Sequence, residues 1–144
     1  MSTIQQQTRV SFSAEQMFDL VNNVSHYPEF VPYCKAAKVK VASATQMIAT
    51  LVLAKKGFSQ AFTTVNQLTY PHQIDMRLQE GPFRHLMGKW AFVTPATGGG
   101  CSVQFHLDFE FSNPLLHLTM RPVFENIMID MVRAFIQRAH EVYT

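Results

Sequence analysis

Charge is what this sequence has least of: only 15% of its 144 residues are Asp, Glu, Lys or Arg, against roughly a quarter in ordinary soluble domains. Hydrophobic residues make up 47%, so Gln, Asn, Ser and Thr must supply much of the polar surface, and a disordered chain is excluded. The formal net charge of +2 is too small to announce nucleic-acid binding by field alone, and no DNA partner is expected. Two cysteines, Cys34 and Cys101, have no metal-ligand spacing and read as reduced thiols rather than a disulfide framework. No run approaches the ~18 consecutive apolar residues of a membrane span. The start, MSTIQQQTRV, lacks the apolar stretch of a secretory signal, so a cytoplasmic protein without a transmembrane segment is expected. No repeat, charge block or low-complexity segment divides the chain, and the length suits one domain over residues 1–144.

What is abundant is bulk: 12 Phe and 8 Met, which either fill a large core or line a pocket with shape-adaptable side chains. Their periodicity changes along the chain. Thr3 to Phe12 reads as a strand. Ser13 with Gln16 three residues on forms a capping-box signature that opens a helix with Met17, Leu20, Val21 and Val24 on one face, ending before Pro28. From Val39 to about Phe111 the pattern alternates. Ile74, Met76 and Leu78 oppose Asp75, Arg77 and Gln79. Cys101, Val103, Phe105, Leu107, Phe109 and Phe111 oppose Ser102, Gln104, His106, Asp108 and Glu110. Turn signals at 55–57, 70–72, 80–82 and 98–100 cut this region into about six strands.

Helical period returns after Asn113, an N-cap followed by Pro114. Phe124, Ile127, Met128, Met131, Val132, Phe135, Ile136, Ala139, Val142 and Tyr143 form one apolar stripe, with a kink or restart expected near 119–121 because of Pro122. A helix so striped must be covered. The expected fold is α+β: a curved antiparallel sheet of about seven strands wrapped around a long C-terminal helix, with two short helices after the first strand.

Residues 27–34, YPEFVPYC, place aromatics between two prolines that stiffen the backbone. Tyr27, Phe30, Val31 and Tyr33 would sit at the end of the sheet, either as a lid over a cavity or as a plug in a filled core. The cavity reading adds Trp90, Phe92, Phe105 and Phe109 from the strands and Phe124, Met128, Met131 and Phe135 from the helix, because three segments then present large apolar groups to one interior. Glu29 could meet Arg84, Arg121 or a ligand head group.

HYPEFVPYC (26–34), EGPFRHLMGKWAF (80–92), FSNPLL (111–116) and MVRAFIQRAHEVY (131–143) resemble, in that order, the signature stretches of the coenzyme Q-binding protein family of START-like, helix-grip domains, relatives of polyketide cyclases and dehydrases. The resemblance runs over nearly the whole chain. It departs at Tyr33, where many members carry Trp, a swap that can alter ligand shape preference. It implies a cavity between sheet and helix holding ubiquinone or another isoprenoid quinone in support of respiration. For the bacterial branch, described as ribosome association toxins of toxin–antitoxin systems, it implies binding to the large ribosomal subunit that blocks subunit joining. Encounters with a membrane surface or an antitoxin partner would fit the same family.

Catalysis finds no constellation. His26, His72, His85, His106, His117 and His140 are scattered, and neither a nucleophile elbow nor a phosphate loop occurs. No catalytic residue, metal ligand or cofactor is therefore assigned, and a cyclase-like enzyme is the less favoured alternative. Lys35, Lys38, Lys40, Lys55 and Lys56 have two readings, a strip contacting RNA phosphates or the guard of an edge strand. In either, Lys38 and Lys40 alternate with Val39 and Val41. Arg133 and Arg138 are the next basic candidates.

Overall fold

The computed structural model describes residues 1–55 and 57–144, with Val41 described by its backbone alone. The elements run β1 (Ser2–Val10), α1 (Ala14–Asn22), a 3₁₀ turn (Val24–His26), α2 (Tyr27–Phe30), β2 (Cys34–Ala42), β3 (Gln46–Lys55), β4 (Phe58–Thr69), β5 (Gln73–Glu80), β6 (Phe83–Val93), β7 (Cys101–Phe111) and α3 (Pro114–Tyr143). The strands form one antiparallel sheet in the order β1-β7-β6-β5-β4-β3-β2. β2 to β7 pair as successive hairpins, and β1 adds beside β7. The helices and strands expected from sequence periodicity are those observed.

Alternation sets the inner face. β7 buries every second residue from Cys101 to Phe111, and those side chains meet α3, which buries Phe124, Ile127, Met128, Met131, Val132, Phe135 and Ala139. Ile136 and Tyr143 only pack against the core edge and Val142 is exposed, because the stripe rolls off the sheet in the last turn. Tyr143 turns its hydroxyl to the Gln16 carbonyl at 2.8 Å, tying the end of α3 to α1.

α1 begins as expected. Ser13 Oγ accepts from the Gln16 N–H at 3.1 Å, and Gln16 Oε1 accepts from the Ser13 N–H at 2.9 Å. Its buried face is Ala14, Met17, Phe18 and Val21. Leu20 is only half-buried, and Val24 lies in the following 3₁₀ turn.

α3 runs unbroken through Pro122, contrary to the expected restart. The proline removes the donor to the Leu118 carbonyl, but both Pro122 and Leu118 are exposed, so water can replace the lost bond. At the helix start Asn113 Oδ1 accepts from the Leu116 N–H at 2.7 Å.

Candidate functional site

Between the sheet and α3 lies an internal cavity of about 60 Å³. Ala49 and Leu51 of β3, Phe62, Thr64 and Asn66 of β4, and Met76 of β5 line one side. Leu86 and Trp90 of β6 and Phe105 and Leu107 of β7 continue the wall. Phe124, Met128 and Met131 of α3 close it, and Val24 and Tyr27 stand at its end. The volume holds a few waters and is well below the ~300–1,000 Å³ of formed ligand pockets. A larger guest therefore requires the walls to move. Met76, Met128 and Met131 are unbranched thioethers suited to that.

The void follows from side-chain size. On β6, Gly88 lies opposite Met76 of β5, and a Cβ at residue 88 would stand 2.7 Å from the Met76 methyl and 3.0 Å from a Leu107 methyl. Glycine here lets Met76 lie flat over the strand. On β4, Thr64 and Asn66 occupy inward positions between Phe62 and Leu68, where longer apolar side chains would have filled the space.

The twelve sequence-predicted ligand residues divide. Tyr27, Trp90, Phe105, Phe124, Met128 and Met131 come together in the lining. Phe135 stands behind it, edge-on to Tyr27 at 5.0 Å and Trp90 at 5.4 Å. Phe92 is buried against Phe18 and Trp90, and Phe109 is packed among Phe83, Phe111 and Phe124.

The lid residues separate more sharply. Phe30 is half-buried at the edge of the core, edge-on to Phe135 at 5.5 Å and with Arg138 over its ring at 5.1 Å, and it does not reach the lining. Val31 is buried in the turn, its N–H donating to the Tyr27 carbonyl at 2.8 Å. Tyr33 takes a left-handed φ of 66° and lies under Lys55 Nζ at 4.7 Å. Tyr27 is the one of the four that reaches the lining, its hydroxyl donating to the Val21 carbonyl. Complete burial, with Cys34 nearby as a lesser cause, pushes its phenol pKa far up. Cys34 and Cys101 are free and buried, and burial raises both thiols.

Among the described residues, the lining carries no carboxylate, imidazole, ammonium or guanidinium. Among the described residues no group of three His, Cys, Asp or Glu could hold a metal. Glu29 meets neither Arg84 nor Arg121; it lies 3.7 Å from Arg138 and 3.6 Å from His26. Arg138 is thereby engaged from two sides rather than free, while Arg133 is exposed and 3.9 Å from Asp130. Lys35, Lys38 and Lys40 are exposed on β2, an edge of the described sheet. The β2–β3 register shifts around Lys35 and again around Lys40, as bulges on guarded edges do. Lys56 and the side chain of Val41 lie outside the described residues.

Residues 10–136 match the family model described as polyketide cyclase / dehydrase and lipid transport. The chain belongs to this family. It is 44% identical over 144 residues to the ribosome association toxin RatA of Escherichia coli (strain K12), covering 100% of this chain and 90% of that protein. It is 30% identical over 132 residues to the mitochondrial coenzyme Q-binding protein COQ10 of Drosophila melanogaster, covering 89% of this chain and 54% of that one. A START superfamily protein from Mycobacterium smegmatis superposes with a TM-score of 0.80 at 21% identity, over 97% of this chain and 98% of that one; the fold is START-like. No described helix is long and apolar enough to cross a membrane.

The sequence reasoning missed Thr64, Asn66, Met76 and Gly88. Their signal was present in part: Phe62, Thr64, Asn66 and Leu68 share one period-two face with an apolar residue at each end.

Proposed function

We propose that this START-like domain, spanning residues 1–144, is a non-enzymatic carrier or sensor of an apolar ligand of the isoprenoid quinone class, held between sheet and α3. The observation that carries the reading is the cavity walled by Trp90, Phe105, Phe124, Met76, Met128 and Met131. Those aromatics supply flat contact surface and the thioethers supply adaptability. Among the described residues the phenol of Tyr27 is the one titratable group in the wall, and general acid–base chemistry has no partner for it among them. Ligand entry enlarges the cavity by moving the Met side chains. Native mass spectrometry of protein purified from its own cytoplasm, followed by organic extraction, tests this. A stoichiometric isoprenoid quinone is expected, and protein that neither copurifies with nor takes up such a molecule rejects the reading.

A second reading, association with the large ribosomal subunit, is favoured by the 44% identity to ribosome association toxins over the whole chain. Exposed Lys35, Lys38 and Lys40 on the edge strand supply a phosphate-binding surface. Cosedimentation with large subunits should fall steeply with salt, because each neutralised phosphate releases counterions. The double variant Lys38→Glu, Lys40→Glu should leave the large-subunit fraction of a sucrose gradient and keep its apolar ligand. If it sediments as wild type does, the lysines only guard the edge.

A further inference from the structure

An apolar ligand has no use for the two polar side chains that β4 sets into the cavity wall. Thr64 and Asn66 are 7% and 6% exposed, and both line the cavity. The Thr64 hydroxyl donates to Asn66 Oδ1 at 2.8 Å. Between them the hydroxyl and the amide hold three protons, and their mutual bond uses one. The hydrogen bonds found among the described residues give the remaining donors no side-chain acceptor, and the one buried side-chain atom sealed off without a partner is Asn22 Oδ1, so these donors keep some access to the cavity. Exchanging the amide oxygen and nitrogen changes which group gives the shared proton, not how many are left over. The strand neighbours offer nothing: Thr64 lies between Ala49 and Leu78, and Asn66 between Met47 and Met76.

Donors that face the space of an otherwise apolar cavity are completed by a water or a ligand atom there. We infer that Thr64 and Asn66 form a polar anchor for one carbonyl oxygen of an otherwise apolar ligand, which deepens the cavity reading above and rests on it. A quinone ring meets the requirement: its carbonyl accepts from the anchor while its faces lie against apolar wall such as Trp90 and Met128. A plain hydrocarbon leaves the donors unmet. A fatty-acid carboxylate brings a charge that no cation in the lining balances.

The test uses two probes with the same tail, a decyl-substituted dimethoxybenzoquinone and decylbenzene, titrated calorimetrically into the full-length protein. Wild type should prefer the quinone by about tenfold, the worth of one satisfied buried hydrogen bond. Asn66→Leu should abolish the preference and bind decylbenzene at least as well. If wild type binds both equally, or Asn66→Leu keeps the preference, the anchor is overturned while the cavity reading stands. If neither probe binds wild type, the cavity reading falls and the anchor with it. Infrared spectroscopy of carbon-13-labelled quinone needs no variant: the carbonyl band of the bound molecule should lie below its position in hexane, and an unshifted band overturns the anchor.

Discussion

Around Phe124 the space between sheet and α3 is filled by rings, whereas one turn further along the helix, at Met128 and Met131, it is not. On the filled side Phe58, Phe62, Phe83, Phe109 and Phe111 surround Phe124 with ring centroids 4.8–6.2 Å from it. On the open side β3, β4 and β6 present Ala49, Thr64, Asn66 and Gly88, and Met76 of β5 supplies the bulk. The ladder shifts register between the two sides, at Thr63/Thr64 in the β4–β5 pairing and at Phe83/His85 in the β6–β7 pairing. Residue size, together with these bulges, separates the part of the fold that is a core from the part that is a container. Each large apolar side chain buried on the filled side contributes roughly 1.5–3 kcal/mol, which lets the other side remain underfilled.

The largest expected effect tests that division directly. Phe109→Ala removes a ring held by Phe83, Phe111 and Phe124 and should cost about 3–5 kcal/mol in urea unfolding. Met128→Ala, beside existing space, should cost about 2 kcal/mol, the low end for such truncations. Equal costs would erase the distinction between core and container.

Gly88→Ala comes next. Its Cβ would collide with the Met76 methyl at 2.7 Å, and relieving the clash displaces the thioether that lines the cavity. Because the contacts are the far ends of flexible side chains, the cost should be about 1 kcal/mol, the low end for overpacking, and apolar-probe binding should weaken. A variant that is less stable yet binds normally would show that Met76 moves away from the cavity.

Tyr27→Phe sharpens the comparison at the cavity's end. It keeps the ring against Phe135 and removes the hydrogen bond to the Val21 carbonyl, so thermal unfolding should report a loss of about 1 kcal/mol. Phe30→Asp, one turn away but outside the lining, should leave probe binding unchanged; loss of binding would return Phe30 to the lid.

These contrasts also mark how far the sequence could be read. Period-two and period-3.6 patterns gave the strands, α3 and the capped α1, because alternation and capping are local. The cavity is not local. Whether Thr64 leaves space depends on what stands across from it on α3, several turns of chain away. The fate of the YPEFVPYC segment depended on direction: α2 has only four residues, so one helical step puts Tyr27 in the lining and Phe30 at the core edge between Phe135 and Arg138, and the left-handed backbone at Tyr33 turns that ring towards Lys55. Pro122 was legible as a breaker, but its exposure, which makes it harmless, was not.

The smallest effect belongs to the outer face, at the boundary between the two halves. Asp108 lies between inward Leu107, which lines the cavity, and inward Phe109, which is packed. Its carboxylate accepts from Thr3 Oγ1 at 2.7 Å and lies 3.1 Å from His106 Nε2. The Thr3 hydrogen bond holds its pKa below the usual carboxylate value; burial opposes it, and His106 and then His85 add lesser lowering effects. A carboxyl whose folded pKa is depressed stabilises the protein above its unfolded pKa and loses that contribution as pH falls through the folded value. The gain should therefore be complete at neutral pH and fade below about pH 4. For so exposed a group it is about 0.5 kcal/mol. Asp108→Asn should lower neutral-pH stability by that amount, remove this fall on acidification and leave probe binding untouched. A change in ligand affinity would mean that the outer face reaches the cavity through β7.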